Sequence, residues 1–93
     1  MKTWAIGQNV VWTETEDEVR LYDTTAGEFQ TLNQTASAIW RQLVRNGDQG
    51  AIVTALAAEF GAQDDNQRHL ISSDAERFLR ALADAGLVVE QGG

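Results

Sequence analysis

The sequence predicts an α+β fold in which a three-stranded antiparallel sheet precedes three helices. Short segments rich in β-branched and aromatic residues occupy the first third of the 93 residues. Apolar residues then recur at helical spacing through three longer segments, each of which is followed by a glycine. No linker, repeat or low-complexity stretch interrupts this order, so we expect one domain over residues 1–93.

The three strands are predicted from short β-prone segments with turn residues between them. Residues 10–12 form the first, the alternating segment Val19–Asp23 the second, and Glu28–Leu32 the third. Gly27 can supply a positive φ in the turn between the last two. Because the connections are short, we expect the strands to pair in chain order, which leaves the third strand with a free edge.

The three helices are predicted from capping residues and apolar stripes. Asn33, Asp48 and a residue within 64–66 are the candidate N-caps. Residues 87–89 are apolar, and we expect them to return onto the sheet or the core. The residues expected to face the core are Ala36, Ile39, Trp40, Leu43 and Val44 in the first helix, Ile52, Val53, Leu56, Ala57 and Phe60 in the second, and Ile71, Ala75, Phe78 and Leu82 in the third.

Composition and charge exclude several classes of protein. The net charge of −7 argues against sequence-independent nucleic-acid binding, which depends on basic residues that neutralise phosphates. The chain has no cysteine, so neither a disulfide nor a thiolate metal site can form. Its apolar runs are shorter than the roughly 20 residues of a membrane span. No apolar segment of signal-peptide type follows Lys2, so we expect a cytoplasmic protein.

The sequence contains no pattern typical of catalysis or metal binding. It has no glycine-rich phosphate loop and no nucleophile paired with a base. The acidic runs at 16–18 and 64–65 are expected to serve turns and caps, because an oxygen cage for a cation needs more ligands. His69, the single histidine, falls on the polar side of the third helix. We therefore predict no catalytic residue, no metal site and no cofactor.

A set of residues with fixed spacing points to a known family. Its central part is Gly27-x-Phe29, Leu32-Asn33 and Ile39-Trp40. The outer parts are Val10-Val11-Trp12, Leu21-Tyr22-Asp23, Ala36, Phe60-Gly61, Asp74, Phe78-Leu79, Leu82 and Gly86-Leu87. This pattern resembles the PqqD-like family, the RiPP recognition elements that bind leader peptides of ribosomally made, modified peptides. Two residues depart from the family pattern: Gln30 stands where an aromatic is frequent, and Ala75 where a larger aliphatic residue is more common.

The resemblance implies a winged helix-turn-helix-like fold and a non-catalytic function. Family members bind the leader of a precursor peptide as an added strand on the third strand, in the cleft beside the third helix. They present it to a modifying enzyme or leader protease, as the stand-alone proteins of lasso-peptide pathways do. The implied peptide-binding residues of the strand are Glu28, Phe29, Gln30, Thr31 and Leu32. We expect Phe29 either to contact the peptide or to pack under the helices.

By the same resemblance, the third helix supplies the other side of the cleft. At about 100° per residue, Leu70, Asp74, Arg77 and Ala81 form a strip along one edge of its apolar face, next to Phe78. Arg77 can meet a carboxylate of the peptide, and Asp74 can meet a cation or an N–H group. Alternatively, these two side chains pair with each other at i, i+3.

Other arrangements and functions stay open at this stage. The opposite edge of the helix, near Arg68, Ser72 and Leu79, is the alternative lining of the cleft. A winged-helix DNA-binding protein would need a basic recognition helix, whereas Arg68, Arg77 and Arg80 alternate with acidic residues. An accessory subunit that docks on an enzyme without binding a leader is a further alternative. A free strand edge also permits two copies to pair as a homodimer.

Overall fold

The computed structural model describes residues 2–91, which form five strands and three helices. The strands are β1 (Thr3–Ile6), β2 (Val10–Glu14), β3 (Val19–Asp23), β4 (Glu28–Leu32) and β5 (Val88–Gln91). The helices are α1 (Gln34–Arg45), α2 (Gln49–Glu59) and α3 (Asp65–Asp84). This arrangement confirms the predicted α+β class. Within residues 2–91, none of the helices combines the length and apolar character needed to span a membrane.

Strands β2, β3 and β4 form an antiparallel sheet in that order, as predicted. Gly27 has a φ of +71° in the turn before β4, which is the conformation the sequence predicts for it. The carboxylate of Asp23 accepts hydrogen bonds from the N–H groups of Thr25 and Ala26, so the turn is fixed by its own residues. The outer side of β4 is paired with no other strand of residues 2–91.

A second sheet joins the two ends of the described chain, and the sequence analysis did not predict it. Strand β1 pairs antiparallel with β5, with Trp4 opposite Glu90. Residues 87–89 return as expected, with the side chains of Leu87 and Val88 buried. The paired residues Thr3 and Gln91 are 88 positions apart, so a local pattern could not identify the pairing.

The predicted helix starts are confirmed by side-chain caps. Asn33, Asp48 and Asp64 each accept a hydrogen bond from the N–H three residues further on, at 2.8 to 2.9 Å. Gly47 at the end of α1 has a φ of +75°. Its carbonyl accepts a hydrogen bond from the N–H of Trp4 at 2.8 Å, so this turn also anchors β1.

The core lies between the inner face of the sheet and the three helices. Trp40 is fully buried and meets the ring of Trp12 edge-on, with the ring centroids 5.5 Å apart. The other large, fully buried side chains are Leu21, Leu32, Ile52, Leu56, Leu79 and Leu82.

Two predicted core residues are exposed, and one predicted edge residue is buried. Phe60 is 48% exposed because α2 ends one residue before it. Val44 is 41% exposed and lies next to the last residue of α1, where the helix ends. Leu79, expected on an edge of α3, lies in the centre of its buried face.

Candidate functional site

The hydrogen bonds at the two ends of the β2–β3 pair define the direction of the main-chain groups of β3. The N–H of Thr15 donates to the carbonyl of Glu18 at 2.9 Å, and the N–H of Thr24 donates to the carbonyl of Asn9 at 2.8 Å. Main-chain groups alternate in direction along a strand. The even-numbered residues of β3 therefore face β2, and the odd-numbered residues face β4.

This alternation identifies which groups of β4 lie on its open edge. Leu21 of β3 is paired with Gln30 of β4, so the N–H and C=O of Gln30 face β3. The N–H and C=O of Phe29 and Thr31 consequently point away from the sheet. These are the groups that a further strand would bond to.

The inner face of β4 changes from buried to exposed along the strand. Leu32 is 2% exposed and belongs to the core, so its side chain is not accessible to a ligand. Glu28 and Gln30 share this face but are exposed. The accessible part of the inner face is therefore polar, and it lies at the start of the strand.

Phe29 and Thr31 lie on the outer face of the sheet, away from the helices. Phe29 is 78% exposed and contacts Tyr22 on β3, with ring centroids 4.4 Å apart. Of the two alternatives for Phe29, the one in which it packs under the helices is therefore wrong. Its place in the strand alternation turns it to the opposite face.

A buried hydroxyl fixes the end of β4, and the sequence analysis did not identify it. Ser37 Oγ accepts a hydrogen bond from the N–H of Val19 at 2.9 Å and donates to the carbonyl of Leu32 at 3.0 Å. Val19 and Leu32 are paired residues of β3 and β4. The Ser37 side chain thus bridges the two strands and ties α1 to the sheet. Its only sequence signal is a position beside Ala38 and Ile39 on the buried face of α1.

The predicted strip on α3 is exposed along its whole length. Leu70 is 56% exposed, and Ala81 is exposed as well. Arg77 Nη1 lies 3.8 Å from Asp74 Oδ1, so the alternative pairing within the helix is present. This pair is largely solvated, with side-chain exposures of 79% and 63%, and it leaves both groups accessible. Phe78 is half-buried against the core.

One edge of α3 is occupied by residues near the two ends of the described chain. Glu76 Oε1 accepts a hydrogen bond from Lys2 Nζ at 2.6 Å and pairs with Arg80 at 3.1 Å. Hydrogen bonds from Lys2 and then Arg80 hold the pKa of Glu76 below its usual value. Arg80 also lies 3.9 Å from Glu90 of β5. This edge therefore faces the β1–β5 sheet and is not open to a ligand.

The opposite edge of α3 faces β4 at its C-terminal end. Ala85, Glu28 and Gln30 line one small cavity of about 50 Å³, together with Leu87. Ala85 follows Ala81 by four residues, so both lie on the same edge of the helix. Leu70 lies about 22 Å further along the axis, at about 1.5 Å per residue. The strip thus shares an edge with the residue that meets β4, although its far end is distant from the strand.

The alternative lining near Arg68 and Ser72 does not face the three-stranded sheet. These two residues line a cavity between α2 and α3, together with Val53, Ala57 and His69. Leu79, the third residue of this alternative, is fully buried. Within residues 2–91, no group of three or more His, Asp or Glu residues is arranged to hold a metal ion.

Comparisons with known proteins identify the family and the fold. Residues 18–88 match the family model described as coenzyme PQQ synthesis protein D (PqqD). Among solved structures, the chain is similar to TbiB1 in complex with the TbiA(beta) leader peptide, with a TM-score of 0.80 and 33% identity over 90% of this chain and 93% of that one. It also has the fold of lasso peptide synthetase B1 complexed with the leader peptide, with a TM-score of 0.77 and 20% identity over 94% of this chain and 98% of that one. A search of curated proteins gives no match. Because the family model covers most of the sequence, including both the edge strand and α3, the chain belongs to the PqqD family.

Proposed function

We propose that this protein captures the leader of a ribosomally made precursor peptide as an added strand on the open edge of β4. The observation that carries the proposal is the outward direction of the main-chain groups of Phe29 and Thr31. An extended peptide bonds to such groups regardless of its sequence, and pockets beside the edge then select its side chains. The leader complex of TbiB1, a protein 33% identical to this one, supports the proposal.

The proposed site has a strand side and a helix side. In β4, the main chain of Phe29 and Thr31 would set the register, and the exposed Gln30 and Glu28 would meet alternate side chains of the leader. Leu32 would contribute by holding the strand on the core. The proposed residues of α3 are Leu70, Asp74, Arg77, Phe78 and Ala81.

The protein would perform no chemistry of its own and would need no cofactor. Its role would be to hold a flexible precursor so that a modifying enzyme or a leader peptidase meets the peptide at high effective concentration. We place this activity in the cytoplasm, as the sequence analysis predicts. A homodimer paired through β4 would occupy the same edge, so dimerisation and leader binding would exclude each other.

The charges of α3 do not favour the DNA-binding alternative. Arg80 is engaged by Glu76 and Glu90, and Arg77 lies beside Asp74. A recognition helix needs unpaired basic groups to meet phosphates, and the net charge of −7 opposes the approach of DNA. Binding to duplex DNA at low salt would contradict this conclusion.

Leader binding can be tested directly by NMR. The first probe is an isotope-labelled synthetic TbiA(beta) leader peptide, and the second is the leader of any short precursor peptide found encoded near this gene. We expect a dissociation constant between about 1 μM and 1 nM, or about −8 to −12 kcal/mol. The leader amides should shift from random-coil to strand values and show contacts to Phe29 and Thr31. Random-coil shifts at saturating protein would contradict strand addition.

The helix side of the site predicts a difference between two charge reversals. Arg77→Glu should weaken leader binding about three- to tenfold, because it replaces the cation proposed to meet a carboxylate of the leader by an anion. Arg68→Glu is the matched control, since it makes the same charge change on the same helix but toward α2. It should leave the affinity within about twofold, because exposed charges act weakly at a distance. Isothermal titration calorimetry of both variants is the measurement, and a larger loss for Arg68→Glu would move the leader to the other edge of the helix.

A further inference from the structure

The outer face of the three-stranded sheet carries a row of accessible apolar side chains. Val11, Tyr22 and Phe29 are paired residues of three neighbouring strands, so they stand side by side across the sheet. Val11 is 53% exposed and Phe29 is 78% exposed. With Thr13 and Arg20, they line a shallow depression of about 430 Å³. This face is turned away from the helices, so none of the described helices covers the row.

The most exposed side chain of this row is Phe29, at the β4 edge of the sheet. Phe29, on the edge strand, is more exposed than Val11 on the far side. An apolar row rimmed by polar side chains such as Thr13 and Arg20 is typical of an interaction surface. Because the most exposed side chain stands at the open edge, the occupant is expected to approach from that edge.

The geometry of strand pairing brings a peptide side chain to this row. The main-chain groups of Phe29 point to the open edge, while its side chain stands on the outer face. In an antiparallel pair, the residue that exchanges hydrogen bonds with Phe29 lies about 5.5 Å away between Cα atoms and projects its side chain to the same face. Any antiparallel strand added to β4 therefore places one side chain beside the Phe29 ring.

We propose that the row of Val11, Tyr22 and Phe29 receives an aromatic or branched apolar side chain of the leader, at the position opposite Phe29. The leader is then recognised on both faces of the sheet. The residues on either side of that position project toward α3, and the residue itself extends the row as a fourth member. This inference rests on the proposed function and adds to it a requirement for the leader sequence.

The first test compares two phenylalanine substitutions. Phe29→Ser should weaken binding of the cognate leader peptide by about tenfold or more, because the ring that meets the leader side chain is removed. Phe60→Ser is the matched control, since Phe60 is also exposed but lies at the end of α2 and not on the outer face of the sheet. It should change the affinity by less than about twofold. Thermal melting of both variants checks that each is folded.

The second test identifies the leader position by double-mutant cycles. Each leader residue is replaced by serine and titrated against the wild-type protein and against Phe29→Ser. At one apolar position, serine should weaken binding of the peptide to the wild-type protein. The same serine peptide should bind the Phe29→Ser protein as well as the unmodified leader does, because the contact is already lost there. Its two neighbours should lose the same affinity with both proteins, because their side chains lie on the other face.

The outcomes separate this inference from the proposed function. If the wild-type protein binds no leader, both the proposed function and this inference are wrong. A second outcome is that the wild-type protein and Phe29→Ser bind the leader equally well while Thr31→Pro does not bind it. The assignment of β4 as the binding edge is then correct, and the proposed outer-face contact is overturned. If Phe29→Ser keeps its leader affinity but no longer captures the modifying enzyme, the row belongs to that enzyme and the inference is likewise overturned.

Discussion

Thr31→Pro is expected to reduce leader affinity by at least about tenfold while the protein stays folded. The N–H of Thr31 points to the open edge of β4, so proline removes a donor that the added strand needs and puts its ring in the path of the peptide. The net contribution of one hydrogen bond is about 0.5–1.5 kcal/mol, and the steric obstruction adds to it. Proline is tolerated on an edge strand whose N–H faces solvent, so the melting temperature should change little.

Gln30→Pro is the control, because the same substitution one residue earlier has the opposite consequence. The N–H of Gln30 faces Leu21 in β3, so proline there removes a bond inside the sheet. The melting temperature should fall far more than in Thr31→Pro. Calorimetric titration and thermal melting of the two variants are the measurements. Equal leader affinities and equal melting temperatures would contradict the assignment of the open edge.

The sequence could predict β4 as an edge strand but not the direction of its main-chain groups. The short connections around Gly27 require neighbouring strands to pair in order, and this is local information. The direction of each N–H depends on the pairing register of the strand. If the register slips by one residue, every group that faced the neighbouring strand is exchanged with one that faced away. The alternation in β3, visible at Thr15 and Thr24, was needed to separate Thr31 from Gln30.

The helix side of the site shows the same division between local and long-range information. Helical spacing predicted Leu70, Asp74, Arg77 and Ala81 along one edge of the apolar face of α3, and the structure shows all four exposed. The sequence could group these residues because rotation about a helix axis is a local property. Which other elements pack beside each edge of the helix is not a local property. The contacts that close the other edge come from Lys2 and Glu90. Lys2 is far from α3 in sequence, and Glu90 belongs to β5, whose pairing with β1 was not predicted.

Ser37 is the residue whose role was least visible in the sequence, and its removal should strongly destabilise the fold. Ser37→Ala leaves the N–H of Val19 and the carbonyl of Leu32 buried without the hydroxyl that joins them. Each unsatisfied buried group costs about 1–3 kcal/mol, so we expect the free energy of unfolding to fall by about 2–4 kcal/mol. For a domain of this size, that corresponds to a decrease in Tm of at least about 8 °C.

The same substitution at Ser73 is the control for this prediction. Ser73 lies partly exposed on α3, where alanine has the better helix propensity, so Ser73→Ala should be neutral or slightly stabilising. Hydrogen exchange should show faster opening of the Val19 amide in Ser37→Ala. Because the lost bridge holds the end of β4 on β3, leader affinity should fall with it, even well below the Tm. Melting and amide exchange of Ser37→Ala that match the wild-type protein would show that the hydroxyl bridge does not hold the edge strand.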